Sequence, residues 1–397
     1  MMRLLLGDTE LMAAARRIHG GEAVADCVAR AAWTVIAEPG DAVAGALIGA
    51  LGAVEALSVA AGGRSRSPFT DDNGEVGFRA LREAQARWRP RLQQEAVRSA
   101  FLGALEIGAR LVIPGDPQWP EALDDLGPHA PSALWVRGRV ELLTASPRVS
   151  MVGARASSGY GEQVAAELAG DLASTGAVVV SGGAYGIDGA VHRAALGVGG
   201  ATIAFLAGGV DRAYPVGHQR LLQQISEHGA VVSEPPCGTA PTKWRFLARN
   251  RLIAALGQAT VVVEAGWRSG SLNTAGHAAT LGRPLGAVPG PVTSASSAGC
   301  HRLLREYDAQ CVTSAAEVRE LWGQLDGVPT AGALEDPNRT RVLDALTTRS
   351  VLSVDEIARR SGLSAERVRS LLGLLHLEGD VDANGTGWRR APRPRGG

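Results

Sequence analysis

The segment from Pro241 to Arg251 has the residue types in this sequence that are best suited to hold an extended anionic ligand. Its fixed positive charges are Lys243, Arg245, Arg249 and Arg251. No acidic residue lies between Glu234 and Glu264, so the segment has no carboxylate of its own. Trp244 and Phe246 alternate with the cations, although aromatic residues make up only 4% of the chain. Cations for phosphates and rings for bases are the arrangement that binds single-stranded nucleic acid, and we predict such a ligand here.

A helix is expected to carry these residues. The apolar spacing of residues 252–256 predicts that it begins near Phe246 or Leu247. Arg249 and Arg251 would then lie in its first turn, at the positive end of the helix dipole, where each cation is disfavoured by about 0.3–1 kcal/mol. Sites that break a local rule are often functional, and a bound polyanion would reverse this penalty. The opposing interpretation places the two rings in a core and the arginines in solvent.

Two glycine-rich turns each follow an apolar run and open a helix. One runs from Gly153 to Gly161 and the other from Ser181 to Asp188. Their unpaired backbone N–H groups and positive helix ends would face one crevice, which suits phosphate. The dinucleotide fingerprint Gly-x-Gly-x-x-Gly is missing after the first run, and no acidic residue closes the second to hold a ribose. Either turn alone could serve only to reverse the chain, but two together favour an anion.

A third glycine/serine turn, residues 266–271, also precedes a helix. Glu264, just before it, could act as an acid or base. It has no evident catalytic partner, so we expect it to hold an arginine within the crevice. Asp188 is expected to be a helix cap or turn residue rather than a catalyst.

Composition excludes several classes of protein. The 397 residues have no net charge, so a nucleic acid must be met by a local patch. Lys243 is the only lysine, and its neighbours Thr242 and Trp244 exclude a Walker A loop. The four cysteines lie far apart and the histidines have no metal-ligand spacing, so neither a metal nor a cofactor is predicted. The uncharged run at residues 42–54 is shorter than the roughly 20 residues of a membrane span. We expect a cytoplasmic protein.

The middle of the chain contains the elements that must position these residues. Strands are predicted at Val149–Gly153, Val178–Ser181, Ala201–Ala207, Ala230–Ser233, Thr260–Glu264 and Pro284–Val288. Helices are predicted between them, at Gly161–Ser174, Ile187–Leu196, Gly217–His228, Leu247–Leu256 and Ser271–Leu281. The strands are apolar throughout, as strands buried on both faces are. Alternating strands and helices predict an α/β fold with a doubly wound parallel sheet, whose ligands lie beyond the carboxyl ends of the strands.

Helical regions flank this sheet. Residues 1–108 are rich in alanine and arginine, and a linker at 326–337 leads into residues 338–397. The last region predicts helices at 340–346, 354–361 and 365–377, with Ser353 and Ser364 as N-caps, followed by a polar turn. Its 11 arginines against 7 acidic residues from 339 onward concentrate at Arg389, Arg390, Arg393 and Arg395. A duplex-reading role and a protein-contact role are both open for this region.

Several motifs together resemble the DNA-processing protein A (DprA/Smf) family. They are Met151–Arg155, Ser181–Asp188, Gly208–Pro215, Arg249–Arg251, Arg268–Leu272 and Ala287–Pro291, with Pro114–Pro120 upstream. The resemblance covers about residues 110 to 315. It implies a Rossmann-like domain at 109–325 between an N-terminal helical domain of SAM or helix-hairpin-helix type at 1–108 and a C-terminal winged-helix domain at 338–397.

The resemblance also implies a function. Family members protect single-stranded DNA and load RecA recombinase onto it during natural transformation and recombination, as homodimers and without catalysis. Arg155 matches the arginine of a Gly-Ser/Thr-Arg turn, in which Ala154 replaces the usual hydroxyl residue, and Lys243 and Phe246 resemble the basic and base-stacking positions. The residues predicted to bind DNA are Arg155, Ser157, Gly182, Gly183, Lys243, Phe246, Arg249, Asn250, Arg251, Ser269 and Gly270.

Two other functions remain open at this point. A nucleotide phosphoribohydrolase on a similar sheet would also use glycine turns, an arginine and a glutamate. Such enzymes carry Pro-Gly-Gly-x-Gly-Thr-x-x-Glu at a helix start, whereas residues 268–274 here read Arg-Ser-Gly-Ser-Leu-Asn-Thr and lack the glutamate. A scaffold that contacts RecA alone would have no affinity for DNA.

Overall fold

The computed structural model describes residues 1–62, 74–324, 337–348, 350–377, 379–385 and 387–391. The chain forms two compact units, Met1–Leu325 and Asp326–Gly397. The linker predicted at 326–337 lies outside the described residues except for the backbone of Pro337, as do Arg393 and Arg395.

Helices form the first part of the larger unit. They are α1 Met2–Gly7, α2 Thr9–His19, α3 Val24–Ile36, α4 Ala42–Leu51, α5 Ala53–Ala60, α6 Gly74–Trp88 and α7 Gln94–Glu106, with a short 3-10 turn at Arg89–Arg91. Asp41 caps α4 by accepting hydrogen bonds from the backbone N–H groups of Val43 and Ala44. The helices share one hydrophobic core with the sheet that follows, in which Phe101 and Trp135 meet edge to face at 5.8 Å. The predicted boundary near residue 108 therefore separates helices from sheet in sequence but not in packing.

A nine-stranded sheet is the centre of this unit. Its strands are β1 Arg110–Val112, β2 Leu134–Gly138, β3 Arg148–Gly153, β4 Val178–Ser181, β5 Thr202–Leu206, β6 Ala230–Ser233, β7 Ala259–Glu264, β8 Leu285–Ala287 and β9 Gln310–Cys311, in the order β1-β2-β6-β5-β4-β3-β7-β8-β9. The strands from β6 to β9 in this order are parallel, which confirms the predicted fold class. The antiparallel β1 and β2 and the two-residue β9 are absent from the sequence-based prediction, since β1 and β9 are too short to show a period.

The chain moves outward from β3 through β4, β5 and β6, and then returns so that β7 pairs with the other side of β3. Helices cover both faces: α8 Gly159–Ser174, α9 Ile187–Gly197, α10 Gln219–His228, α11 Lys243–Leu256, α12 Ser271–Thr280, α13 Ala298–Glu306 and α14 Ala315–Glu320. Val178 and Val180 pack beneath α11 to α13, whereas Val179 packs beneath α8 and α9, because successive strand residues point to opposite faces. The reversal between β3 and β7 is a topological switch point, where ligands of such sheets bind.

Three further 3-10 turns, Glu121–His129, Val140–Leu143 and Val216–His218, join these elements. The smaller unit contains α15 Pro337–Ala345, α16 Val354–Ser361, α17 Ala365–Leu377 and the antiparallel pair β10 Val381–Asn384 and β11 Gly387–Arg390. Ser353 and Ser364 accept hydrogen bonds from the N–H groups of Glu356 and Arg367, so both predicted caps are present. Three helices and a two-stranded wing confirm the predicted winged helix.

One helix contact tests how the N-terminal helices dock on the sheet. A Cβ atom added at Gly45 in α4 would lie 1.9 Å from the carbonyl oxygen of Pro128, whereas one added at Gly49 would meet nothing within 4 Å. We expect Gly45→Ala to destabilise the protein by about 1–3 kcal/mol through overpacking. Gly49→Ala should stabilise it by up to about 1 kcal/mol, since alanine is the better helix former. Urea unfolding of both variants checks this, and equal effects would contradict the tight contact at Gly45.

Candidate nucleic-acid interface

A crevice of about 640 Å³ lies beyond the carboxyl ends of β3 and β7, at the switch point of the sheet. Its walls come from the turn after β3, from α11 and from the turn after β7. Of the predicted site residues, those that line it are Arg155, Phe246, Arg249, Asn250, Ser269 and Gly270. Those outside its lining are Ser157, Gly182, Gly183, Lys243 and Arg251. The structure therefore brings together part of the predicted set.

Glu264 at the end of β7 fixes the turn after β3. Its carboxylate accepts hydrogen bonds from the backbone N–H of Ser158 at 2.8 Å and from the Ser158 hydroxyl at 2.7 Å. Ser158 in turn caps α8 by accepting from the N–H of Gly161. The expectation that Glu264 holds an arginine is wrong, because its buried carboxylate faces this turn. Its role is to position the backbone from which Arg155 projects. Ser157, in the same turn, donates its hydroxyl to Glu162.

The predicted start of α11 is also wrong. The helix begins at Lys243, one turn earlier, with Thr242 as its N-cap accepting from the N–H of Arg245. Thr242 is a good capping residue, but the apolar spacing on which the prediction rested begins only later in the helix. The cations in the first turn are therefore Lys243 and Arg245, and the dipole penalty applies to them. Arg249 and Arg251 lie beyond the first turn.

Arg249 is a buried structural group that also lines the crevice. Its Nη1 donates hydrogen bonds of 2.6 Å to the carbonyl oxygens of Gly182 and Phe205, at the ends of β4 and β5. Burial lowers the pKa of Arg249 to about 10, so it stays charged at neutral pH. Burial also raises the pKa of the nearby Asp188 carboxyl, an effect that the Arg249 guanidinium opposes.

The turn after β4 contains two glycines, Gly182 and Gly183, behind the Arg249 guanidinium. A Cβ at Gly182 would lie 2.1 Å from the Arg249 Nη1, so glycine allows the guanidinium to approach the strand end. Gly183 has a φ of +67°, a left-handed conformation that favours glycine. Asp188 accepts a hydrogen bond from the N–H of Ala184 at 3.4 Å, as expected for a turn residue. The two glycines thus shape the site from behind Arg249.

Arg251 does not face the crevice, and its predicted contact with phosphate is wrong. Its Nη2 donates to both carboxylate oxygens of Glu234 at 2.9 and 2.7 Å, and its Nε donates to the carbonyl oxygen of His129 at 2.8 Å. The side chain is 5% exposed. Two residues along a helix turn by about 200°, which directs Arg251 away from the side that Arg249 occupies. Its charge is neutralised within the protein.

Three cations at the site are exposed and have no carboxylate within 4.0 Å among the residues that the structure describes: Arg155, Lys243 and Arg268. The Arg155 guanidinium lies 4.6 Å from the centroid of the Phe246 ring, and the Lys243 Nζ lies 5.9 Å from that of Trp244. Arg245, by contrast, is paired with Glu38. Arg268 was not among the residues predicted to bind DNA, although it lies within the third glycine/serine turn.

Asn250 holds that third turn in place. Its Nδ2 donates to the carbonyl oxygen of Gly270 at 3.3 Å and to the side-chain oxygen of Asn273 at 3.2 Å. The hydroxyls of Ser269 and Ser271 lie 2.7 Å apart. Asn250 is buried, so it acts on the crevice by positioning the turn that carries Ser269 and Gly270.

Aromatic rings accompany the cations. Phe246 is half-buried, with the Tyr214 ring at a centroid distance of 5.4 Å and the Arg155 guanidinium also against it. Tyr214 was not predicted as a site residue. It follows β5, far from the cationic segment in sequence, and only the parallel order of the strands brings it beside Phe246.

Within the described ranges, no group of three or more His, Cys, Asp or Glu side chains is placed to hold a metal ion. No helix in the same residues is both long enough and apolar enough to cross a lipid bilayer.

A crevice lined by Arg155, Arg249 and Arg268 at the switch point of a doubly wound sheet, followed along the chain by a winged helix, defines a class of two-unit α/β proteins. Family models match both units: that of DNA recombination-mediator protein A matches residues 110–323, and that of the DprA winged helix domain matches residues 328–385. The chain belongs to the DNA-processing protein A (DprA/Smf) family.

Individual relatives agree with this assignment. The chain is 43% identical to a putative DNA processing protein DprA of Mycobacterium tuberculosis over 89% of its length and 92% of the relative. It is 38% identical to the protein Smf of Escherichia coli over 66% of this chain and 72% of the relative. The crystal structure of DNA processing protein A from Streptococcus pneumoniae superposes with a TM-score of 0.53 at 34% identity, covering 63% of this chain and 83% of that one.

The stability of two variants distinguishes the buried ion pair of Arg251 from the more exposed ion pair of Arg245. Arg251→Ala would leave the Glu234 carboxylate buried without its partner, and we expect a loss of about 3–5 kcal/mol in the free energy of unfolding. Arg245→Ala, which breaks the more exposed pair with Glu38, should cost no more than about 1 kcal/mol. Chemical denaturation compares the two. A loss at Arg251 as small as that at Arg245 would contradict the structural role.

Proposed function

We propose that this protein binds and protects single-stranded DNA in the crevice and loads RecA recombinase onto it during natural transformation and recombination, without catalysing a reaction. The observation that carries the proposal is that Arg155 and Arg268, which have no carboxylate partner among the described residues, share the crevice lining with the half-exposed ring of Phe246. Lys243, likewise without such a partner, lies outside the lining at the start of the helix that carries Phe246. Cations of this kind attract phosphates, and the ring offers a face for one base. Family membership supports the same function.

The arrangement favours an unpaired strand over a duplex. A base can stack on Phe246 only if it is not enclosed in a helical stack, and the ring lies in the wall of a crevice rather than on a protruding helix. The Arg155 guanidinium now covers part of the ring at 4.6 Å. A base that binds there would displace it toward the adjacent phosphate. Single strands are therefore the preferred ligand.

The carboxylates near the crevice support a binding role rather than catalysis. Asp188 is the acidic residue in the lining, and its neighbour there is the Arg249 guanidinium. Glu264 is committed to Ser158 in the turn after β3. A phosphoribohydrolase would need a free acid beside the glycine turn at residues 268–274. Assembly as a homodimer, which rests on the family alone, and a cytoplasmic location, which is expected from the scattered cysteines, complete the proposal.

The salt dependence of DNA binding tests the number of phosphate contacts. For a single strand, log affinity falls with log salt by about 0.7 for each neutralised phosphate, so three cations predict a slope of about −2. Lys243→Ala and Arg155→Ala should each reduce that slope by about 0.7. Gel-shift titrations of a labelled oligonucleotide, in single- and double-stranded form at several salt concentrations, measure it.

Phe246→Ala is the matched control, because it removes a ring without a charge. We expect it to weaken binding by about 1–3 kcal/mol for the stacked base, with the slope nearly unchanged. Equal affinity for single- and double-stranded oligonucleotides would refute the proposed site. So would a salt slope that is the same in Lys243→Ala and Arg155→Ala as in the wild type.

Loading of RecA is a separate prediction. If the protein delivers single strands to the recombinase, it should shorten the lag before RecA assembles on single-stranded DNA. RecA-dependent ATP hydrolysis reports the lag. Lys243→Ala, which weakens the hold on DNA, should lengthen the lag again at the same protein concentration. If the lag does not depend on the protein, the proposed loading of RecA is refuted, whereas the proposed binding of DNA is unaffected.

A further inference from the structure

A second groove lies beside α11 and is formed around Trp244. Its lining residues are Glu38, Pro39, Thr242, Trp244, Arg245 and Ala248, and its volume is about 400 Å³. We call it the Trp244 groove. Trp244 is 75% exposed, the highest exposed fraction of any aromatic residue in the described part of the chain. The indole face, the Pro39 ring and the Ala248 methyl group give the groove flat apolar walls, which suit a planar ligand.

The Trp244 groove and the crevice lie on different sides of one helix. Trp244 and Ala248 are four residues apart and share a face of α11, whereas Phe246 is two residues from Trp244 and projects to the opposite side, into the crevice. Lys243, the first residue of the helix, lies between these two directions. It is therefore adjacent to both rings at the exposed end of α11.

The charged groups around the Trp244 groove are paired with one another, except for Lys243. Glu38 accepts hydrogen bonds from Arg245 at 2.9 and 3.0 Å and from Arg91 at 2.7 Å. Although burial opposes it, these guanidinium groups hold the pKa of Glu38 below its usual value. The ion pairs are closed and need no ligand. The Lys243 ammonium, 5.9 Å from the indole centroid, is the nearby charge without a carboxylate partner among the described residues.

A planar apolar wall beside a free cation matches a nucleotide. We propose that the Trp244 groove holds a second base of the bound single strand, outside the crevice, and that Lys243 contacts the backbone between this base and the one on Phe246. The inference rests on the proposed function and extends it. It makes the N-terminal end of α11 a ridge over which the strand bends, with one base on each side.

Oligonucleotide length separates the two base sites. The probe is a series of labelled oligothymidylates of about 4 to about 16 nucleotides, the range of site sizes that single-strand-binding folds cover. We expect Trp244→Ala to lower affinity by about 5- to 150-fold for the longer oligomers, the amount that one stacked base contributes, and to leave the shortest oligomers that still bind unaffected. Trp244→Phe, which keeps a ring, should recover most of the loss.

The unfolding midpoint and the salt slope show whether Trp244→Ala acts only through the loss of the ring. The exposed indole makes few contacts that Ala would remove, so the thermal unfolding midpoint should be that of the wild type, and the salt slope should not change because no charge is lost. Val198→Ala is the control, since Val198 is also an exposed apolar residue but lines neither the crevice nor the Trp244 groove; this variant should bind oligomers of every length as the wild type does.

The outcomes distinguish this inference from the function on which it rests. If Phe246→Ala weakens binding and Trp244→Ala leaves it unchanged at every length, the second base site is overturned and the crevice stands. If Trp244→Ala weakens all lengths equally, the indole does not hold a separate, outer base, and the inference is again overturned. If neither substitution affects binding, the proposed function itself fails.

Discussion

Burial of two guanidinium groups on α11 is the constraint on which the crevice depends. An unpaired buried charge costs several kcal/mol, so each group must find acceptors as the helix docks. Arg249 finds them at the carbonyl oxygens that end β4 and β5, and Arg251 finds them at Glu234 and at the carbonyl oxygen of His129. Because these acceptors are fixed by the sheet, α11 has one position in which both charges are satisfied. That position sets where Phe246 and Lys243 stand.

The cations in and around the crevice therefore form two sets with different roles. The buried set, Arg249 and Arg251, is answered by acceptors inside the protein and shapes the site. The exposed set at the crevice, Arg155 and Arg268 together with Lys243 at the helix end, is available to a ligand. Such a division allows a protein with no net charge to present a local positive surface.

The N-terminal helices take part in the same constraint. The loop after α3 supplies Glu38 to Arg245, and the N–H of Gly40 donates to Glu234 at 3.4 Å. His129, whose carbonyl oxygen meets Arg251, contacts the Gly40 carbonyl oxygen through its ring at 3.0 Å. The helices and the sheet thus meet around the base of α11. This contact explains why residues 1–325 pack as one unit although their sequence changes character near residue 108.

The sequence by itself determined the parallel core of the sheet, its glycine turns and the winged helix. Strands buried on both faces are apolar throughout, and the caps of short helices are local signals, so neither needs distant partners to be recognised. Only the tertiary structure decided which cations are free. Glu38 lies 207 residues from Arg245 in the chain, and Glu234 lies outside the segment, 17 residues before Arg251. Electrostatic pairing depends on distance in space rather than along the chain. The residues next to Arg251 in sequence therefore do not indicate which carboxylate neutralises it.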